Sequence, residues 1–348
     1  MLLSIVSCTK LIDTKQPDAI ETKEAMNEEP VAPEIIEKIP PLIVKVYADK
    51  TIAELSLDSK VLCAATGGKG AYSYDWTLDD DEMGNCRERK DCDVSVEIGN
   101  YSVKCKVADE SNQSVSDEIK LFVTKDYVDI DDIILFGDSL TAGFGLVTPA
   151  DSRWGSLYSQ KFKKAEIHNY AISGATSYSV EAYQMMLFEN DSINDDHNKL
   201  VFLWIGANDA VSLIHPEDYK RNLEIVLNKL SKLNNTIVVI LNVPDASKLS
   251  IASDIEEELN YIAEQLQLGM GIEAKKFVQD SIAVYNQEID SVAGRYNVPV
   301  IDMFNFMDSF DDSLITPDGF HPNEMGHKLI SEKVKEDVEA SFDKKILR

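Results

Sequence analysis

Ile133-Ile134-Leu135-Phe136-Gly137-Asp138-Ser139-Leu140 is the stretch on which the reading of this chain turns. Four consecutive apolar residues read as a strand buried on both faces of a sheet. The Gly-Asp-Ser that follows ends the run and leaves a serine hydroxyl at the strand's carboxyl end. That is the edge at which open α/β sheets hold ligands and carry chemistry. Taken alone, the triplet is equally an ordinary strand-to-turn signal, so its meaning depends on what surrounds it.

Downstream, apolar runs recur at 200–205, 237–241 and 298–301, and a short strand is expected at 166–170. Between them, Tyr219, Leu223, Val226, Leu227, Leu230 and Leu233 keep one helical face apolar. A long helical stretch at 253–296 is interrupted near Gly269 and Gly271. Strands alternating with helices predict an α/β fold built on a doubly wound parallel sheet. Its chemistry belongs on the loops that follow the strands.

Three further fragments fall on such loops. Ala171-Ile172-Ser173-Gly174-Ala175-Thr176 follows the short strand, and Ile205-Gly206-Ala207-Asn208-Asp209 follows the next strong one. Each is expected to put a glycine where backbone approaches closely. Asp318-Gly319-Phe320-His321-Pro322-Asn323 precedes a final helix that Asn323 can cap. With these blocks, over roughly 131–341, the chain resembles the SGNH or GDSL hydrolase family. The resemblance implies a flavodoxin-like fold and an esterase, lipase, thioesterase or carbohydrate deacetylase activity. It implies Ser139 as nucleophile, His321 as general base and Asp318 as the group that orients the imidazole. It also implies an oxyanion hole made by Ser139 N–H, Gly174 N–H and the Asn208 amide, with no cofactor and no metal.

The residue types suit acyl transfer. A serine hydroxyl is a weak nucleophile until a base held by a third group takes its proton. Histidine takes and returns that proton near neutral pH. Neutral donors such as Gly174 N–H and the Asn208 amide stabilise a developing oxyanion, which an aspartate at 208 would repel. His168, His197, His215 and His327 lack an aspartate three residues before them in a glycine-containing loop and read as surface or packing histidines. Asp138 and Asp209 are expected to brace loops, and Gly143 and Gly145 to form a mobile lip. Met303, Phe304, Phe306, Met307 and Phe310 either line an acyl pocket or pack in the core.

Upstream of the hydrolase-like region the periodicity changes. Val61, Cys63 and Ala65 share one strand face, Tyr72, Tyr74 and Trp76 another, and Tyr101, Val103, Cys105 and Val107 a third. More strands are expected at 42–47, 94–98 and 119–123. The order Cys, Trp, Cys resembles an immunoglobulin-like or PKD-like β-sandwich. Cys63, Cys86, Cys92 and Cys105 are an even set with no histidine nearby, so disulfides are expected in preference to a metal site. Of three connectivities, Cys63 with Cys105 and Cys86 with Cys92 is favoured, the alternative being free thiols. The acidic run Asp79-Asp80-Asp81-Glu82 lacks the spacing of a calcium loop and reads as a solvated hairpin tip. A glycan or protein ligand and a simple spacer role are both open for this region.

At the amino terminus, Ile5-Val6-Ser7-Cys8 resembles the lipobox of bacterial lipoproteins, which makes Cys8 a lipidation candidate. A short apolar leader that contains a cysteine is the alternative. Acidic residues interspersed with Pro17, Pro30, Pro33 and Pro40 then read as an extended, self-repelling tether. The expected organisation is a leader at 1–8, a tether at 9–40, a sandwich at 41–125 and a hydrolase region at 131–348. The expected setting is export, as a periplasmic or cell-surface bacterial lipoprotein attached through lipid on Cys8, or as a secreted protein. With 61 acidic residues against 34 Lys plus Arg in 348, the net charge of -27 argues against nucleic acid as a partner. The expected substrate is a small-molecule, lipid or glycan ester. Two other classes fit parts of the sequence: a surface glycan- or protein-binding lipoprotein with an inactive hydrolase region, and an acyltransferase using the same triad.

Overall fold

Strand β9 (Asp132–Gly137) is buried at every position, as an unalternating apolar run requires when both faces of its sheet are covered. The computed structural model describes residues 39–54, 56–124, 128–247, 249, 257 and 274–342. Cys8, the leader and the tether up to residue 38 lie outside the described residues, as do Gly269 and Gly271. β9 lies between β10 (Glu166–Asn169) and β11 (Lys199–Trp204), and β12 (Thr236–Leu241) and β13 (Val300–Ile301) complete the sheet. The order is β10-β9-β11-β12-β13, and every pairing is parallel. Counted from β9 this is 2-1-3-4-5, the flavodoxin-like order, whose ligand crevice opens where the winding reverses beside the first strand. Gly137 ends β9 opposite Trp204 at the end of β11, so the loops after these strands emerge side by side.

Successive residues of each strand point to opposite faces, and both faces are packed. Leu135, Phe202 and Trp204 meet Trp154 and Tyr158 of the helix Trp154–Ser159 and Ile330 and Val334 of the helix Glu324–Ser341. Ile134, Phe136 and Leu203 join the core formed by the helices Pro216–Leu230 and Ala274–Tyr296. Of the residues weighed for an acyl pocket, Met303, Met307 and Phe310 are buried in the first core. Phe304 and Phe306 pack against these cores as well. That cluster is accounted for by core packing.

The preceding region is made of antiparallel sheets. β1 (Ile43–Ala48), β3 (Ser56–Thr66) and β6 (Asp91–Glu97) form one in the order β1-β3-β6. The other runs β2 (Ile52–Glu54), β8 (Ser114–Thr124), β7 (Gly99–Asp109), β4 (Tyr72–Leu78) and β5 (Asp81–Glu82), with only β2 parallel to its neighbour. Alternate residues Leu57, Val61, Cys63, Val103, Cys105 and Val107 fill the core of this region. Cys63 is bonded to Cys105 and Cys86 to Cys92. Trp76 is buried, and its indole N–H donates to the Arg89 carbonyl at 2.7 Å. Asp79 to Glu82 are exposed at a turn.

Three contacts tie the antiparallel region to the parallel sheet near the start of β12. The buried Asp117 carboxylate pairs with Lys232. Lys120 N–H donates to the Ser231 carbonyl at 3.2 Å. Tyr47 meets Tyr296 edge to face with ring centres 5.3 Å apart. Among the described residues, no helix is long and apolar enough to cross a membrane.

Candidate active site

The strand-to-helix turn after β9 sets the geometry. Asp138 caps the short helix Ser139–Ala142, its Oδ1 accepting from Leu140 N–H at 2.9 Å, which is the expected use of an aspartate at a helix start. Gly137 has no room for a side chain, since a Cβ there would lie 2.5 Å from the Trp204 carbonyl. The Gln184 amide holds this peptide at both ends: Gln184 Nε2 donates to Gly137 O at 2.7 Å, and Gly137 N–H donates to Gln184 Oε1 at 2.9 Å. Ser139 follows directly, almost buried at 8% exposure, with its hydroxyl at the crevice.

The imidazole that meets it comes from the far end of the chain. His321 Nε2 lies 2.8 Å from Ser139 Oγ across 182 residues of sequence, and His321 Nδ1 lies 2.7 Å from Asp318 Oδ2. With Nδ1–H donated to the carboxylate, Nε2 is left as the acceptor for the serine proton. The Asp318 loop is itself held, because Asp318 Oδ1 accepts from Thr316 Oγ1 at 2.7 Å and from the N–H groups of Phe320 and His321 at 2.9 Å each. Partial burial alone would raise the Asp318 carboxyl. The N–H groups of His321 and Phe320, the Thr316 hydroxyl and the His321 ring outweigh it and bring the group down to about 2. Asn323 caps the helix Glu324–Ser341 through Met325 N–H and Gly326 N–H, anchoring the end of the loop. The rings of Phe144 and Phe320 lie 4.7 and 4.9 Å from that of His321.

Two of the three expected donors, Gly174 and Asn208, lie on the loops after β10 and β11. Asn208 Nδ2 donates one proton to the Ala175 carbonyl at 2.9 Å, which orients the amide and leaves its second proton free to bind. Among the described residues, neither Ser139 N–H nor Gly174 N–H donates to a protein acceptor. Gly206 is where backbone runs close, its Cβ position lying 2.6 Å from Val243 Cγ2. At Gly174 the expected close approach is absent, since a Cβ there would meet nothing within 4 Å. Glycine suits that position because φ is +81°, in the left-handed region that side chains disfavour.

Asp209 ties these loops together. Fully buried, it accepts from Ser177 Oγ at 2.6 Å and from Ser177 N–H at 2.9 Å, and Asn222 Nδ2 donates to the same serine at 3.0 Å. Burial raises its carboxyl against the pull of the Ser177 hydrogen bonds. Burial likewise pushes Asp138 up to about 7, with the Leu140 N–H opposing and the nearby Asp209 charge adding to the rise. Neither carboxyl is bonded to His321, which is consistent with bracing.

The other histidines lie elsewhere. His327 is buried behind the site, where its Nδ1 accepts from Trp154 N–H at 3.2 Å. Burial, with the nearby His321 and Arg153, depresses it to about 4. His215 starts the helix Pro216–Leu230 and accepts from Glu217 N–H. His168 and His197 both pair with Asp132 at the opposite edge of the sheet. Gln184 was not singled out in the sequence. The available signal was a lone amide between Val180 and Phe188 on one apolar helix face.

Residues 135–329 match the family model described as the GDSL-like lipase/acylhydrolase family. Among solved structures, an extracellular lipase from Streptomyces rimosus is 16% identical, with a TM-score of 0.45, over 60% of this chain and 100% of that one. A phospholipase A1 from Streptomyces albidoflavus is 16% identical, with a TM-score of 0.45, over 60% of this chain and 99% of that one. TesA is 19% identical, with a TM-score of 0.44, over 61% of this chain and 100% of that one. No curated protein matches the chain.

Proposed function

The chain belongs to the GDSL-like lipase/acylhydrolase family and is a GDSL-type serine hydrolase, and we propose that it cleaves medium- or long-chain acyl esters through an acyl-enzyme on Ser139. The continuous hydrogen-bonded line from Ser139 Oγ through His321 to Asp318, at 2.8 and 2.7 Å, carries the reading. His321 Nε2 takes the hydroxyl proton as Ser139 Oγ attacks the ester carbonyl. The new oxyanion is held by Ser139 N–H, Gly174 N–H and the second Asn208 Nδ2 proton. Collapse expels the alcohol, which takes the proton from His321. Water then attacks the acyl-serine by the same route and restores Ser139.

The choice of acyl group rests on the residues that flank these in sequence. Phe144, Ile172, Tyr178, Val211, Leu213 and Met325 are exposed apolar side chains, and each lies within five residues of Ser139, Gly174, Asn208 or His321 in sequence. Apolar surface beside a reactive serine favours an alkyl chain over an acetyl group on a glycan, at about 0.8 kcal/mol for each methylene buried. The two disulfides support export to an oxidising compartment, with Cys8 as the attachment point if the chain is lipidated.

Nitrophenol release from an acyl-ester series by the full chain and by Ser139→Ala tests the reading. Hydrolysis should rise with chain length beyond acetyl and vanish in the variant. Undiminished activity in Ser139→Ala removes the serine mechanism, and a preference for acetyl removes the alkyl-chain reading.

A further inference from the structure

We propose that Asp132, Glu166 and His168 form a structural site for one divalent cation of the zinc class at the edge of the sheet opposite Ser139. One ligand atom each from Asp132, Glu166 and His168 lies within 4.8 Å of the other two. His168 Nε2 is 3.0 Å from Asp132 Oδ1, and His197 Nδ1 is 2.8 Å from Asp132 Oδ2. One imidazole and two carboxylates are donors that zinc takes, and water would complete the four-coordinate geometry that zinc favours; His197 sits on the other oxygen of Asp132 and orients that carboxylate.

The sheet register makes the juxtaposition. Asp132 opens β9 opposite Glu166, which opens β10. His168, two residues further, returns to the face of Glu166. His197 lies two residues before Lys199, which pairs with Asp132 from the β11 side. Asp132 is the buried anchor and Glu166 is exposed, so a cation can enter from solvent.

The charge around the anchor is unbalanced. Lys199 is the nearby ammonium, and its Nζ is spent on the carbonyls of Asp195 and His197 at 3.0 and 2.9 Å. Asp131, Asp195 and Asp196 add negative charge around it. On the outer side of His168, Nδ1 faces Asp191 Oδ2 at 3.9 Å, and that carboxylate already accepts from Tyr170 OH at 2.6 Å. A carboxylate behind a ligating imidazole is the usual outer partner of a zinc-bound histidine, although this one must close by about 1 Å to hydrogen-bond. Without a cation, each imidazole gives Asp132 an N–H. Binding at His168 needs the proton to sit on Nδ1, the nitrogen that faces Asp191, which frees the Nε2 lone pair.

The site lies about 17 Å along β9 from Gly137, at about 3.3 Å per residue. It would link the starts of β9 and β10, and so hold the edge strand that leads to Gly174. Its role is stabilising, and it stands or falls independently of ester cleavage.

Full-length protein stripped with chelator is titrated with Zn²⁺ by calorimetry, and melting is followed with and without the ion. One Zn²⁺ per chain should bind and raise the melting temperature. Affinity should fall in His168→Ala and in Glu166→Gln by more than the roughly 10–100-fold typical of losing an outer partner alone, with the melting shift lost. Glu166 is exposed, so its variant serves if His168→Ala does not fold. No stoichiometric binding, or equal binding by wild type and Glu166→Gln, overturns the proposal, the latter by assigning the ion to other ligands.

Discussion

Asp318 and Asp138 are the same residue type with carboxyls shifted in opposite directions on one edge of a sheet. Asp318 receives hydrogen bonds from two backbone N–H groups, a hydroxyl and an imidazole, and is held down at about 2. Asp138 is buried with a single backbone donor and is pushed up to about 7. The consequences have opposite sign. Asp318 adds stability above its usual value of 3.8, which is lost as pH falls towards 2. Asp138 binds a proton more readily folded than unfolded, so stability falls as pH rises from 3.8 towards 7. Asp138→Asn keeps the amide oxygen for Leu140 N–H and removes the ionisation. Melting at pH 8 should therefore rise in this variant, with an upper bound of about 4 kcal/mol at about 1.4 kcal/mol per pK unit, and its melting profile should flatten between pH 4 and 7. Asn208→Ala should lower kcat by about 10²–10³ with KM little changed, as steady-state kinetics would register. Serine, histidine and aspartate were legible because the chemistry demands those types in that order. The close approach expected at Gly174 is absent because space and φ are tertiary properties, and only φ calls for glycine there.

At the scale of elements, the strands of the parallel sheet were legible because burial on both faces demands uninterrupted apolar runs. The short final strand was read as longer, but only Val300 and Ile301 pair. What could not be read was how the end of β9 is kept still. Gln184 sits in a π-helical stretch, Val180–Gln184, and bonds both polar groups of Gly137 from 47 residues away. A buried amide reads as an anomaly until its partner is known. Gln184→Leu keeps the volume and strands two backbone groups, which should cost about 2–4 kcal/mol and lower kcat as Ser139 loses its register. Urea unfolding and kinetics on the same sample would check both. Asn323→Ala should cost about 1 kcal/mol through the lost cap.

Across the whole molecule, the antiparallel region and the parallel sheet meet through Asp117, Lys232, Tyr47 and Tyr296 at the edge away from Ser139. Cys63→Ala with Cys105→Ala opens a loop of sequence separation 42, and chain entropy puts the loss near 4 kcal/mol. The melting temperature should fall by several degrees, while kcat at 25 °C stays close to wild type because the bond is remote from the crevice. The sequence by itself determined the α/β class, the antiparallel region before it and the family, since periodicity and local motif chemistry are carried by residues near one another in the chain. The tertiary structure alone decided that His321 reaches Ser139 across 182 residues, that Gln184 and Asp209 brace the crevice, and that two histidines converge on Asp132. Those are facts of distance between strands and loops, and a linear chain specifies them only through the packing of the cores on the two faces of the parallel sheet.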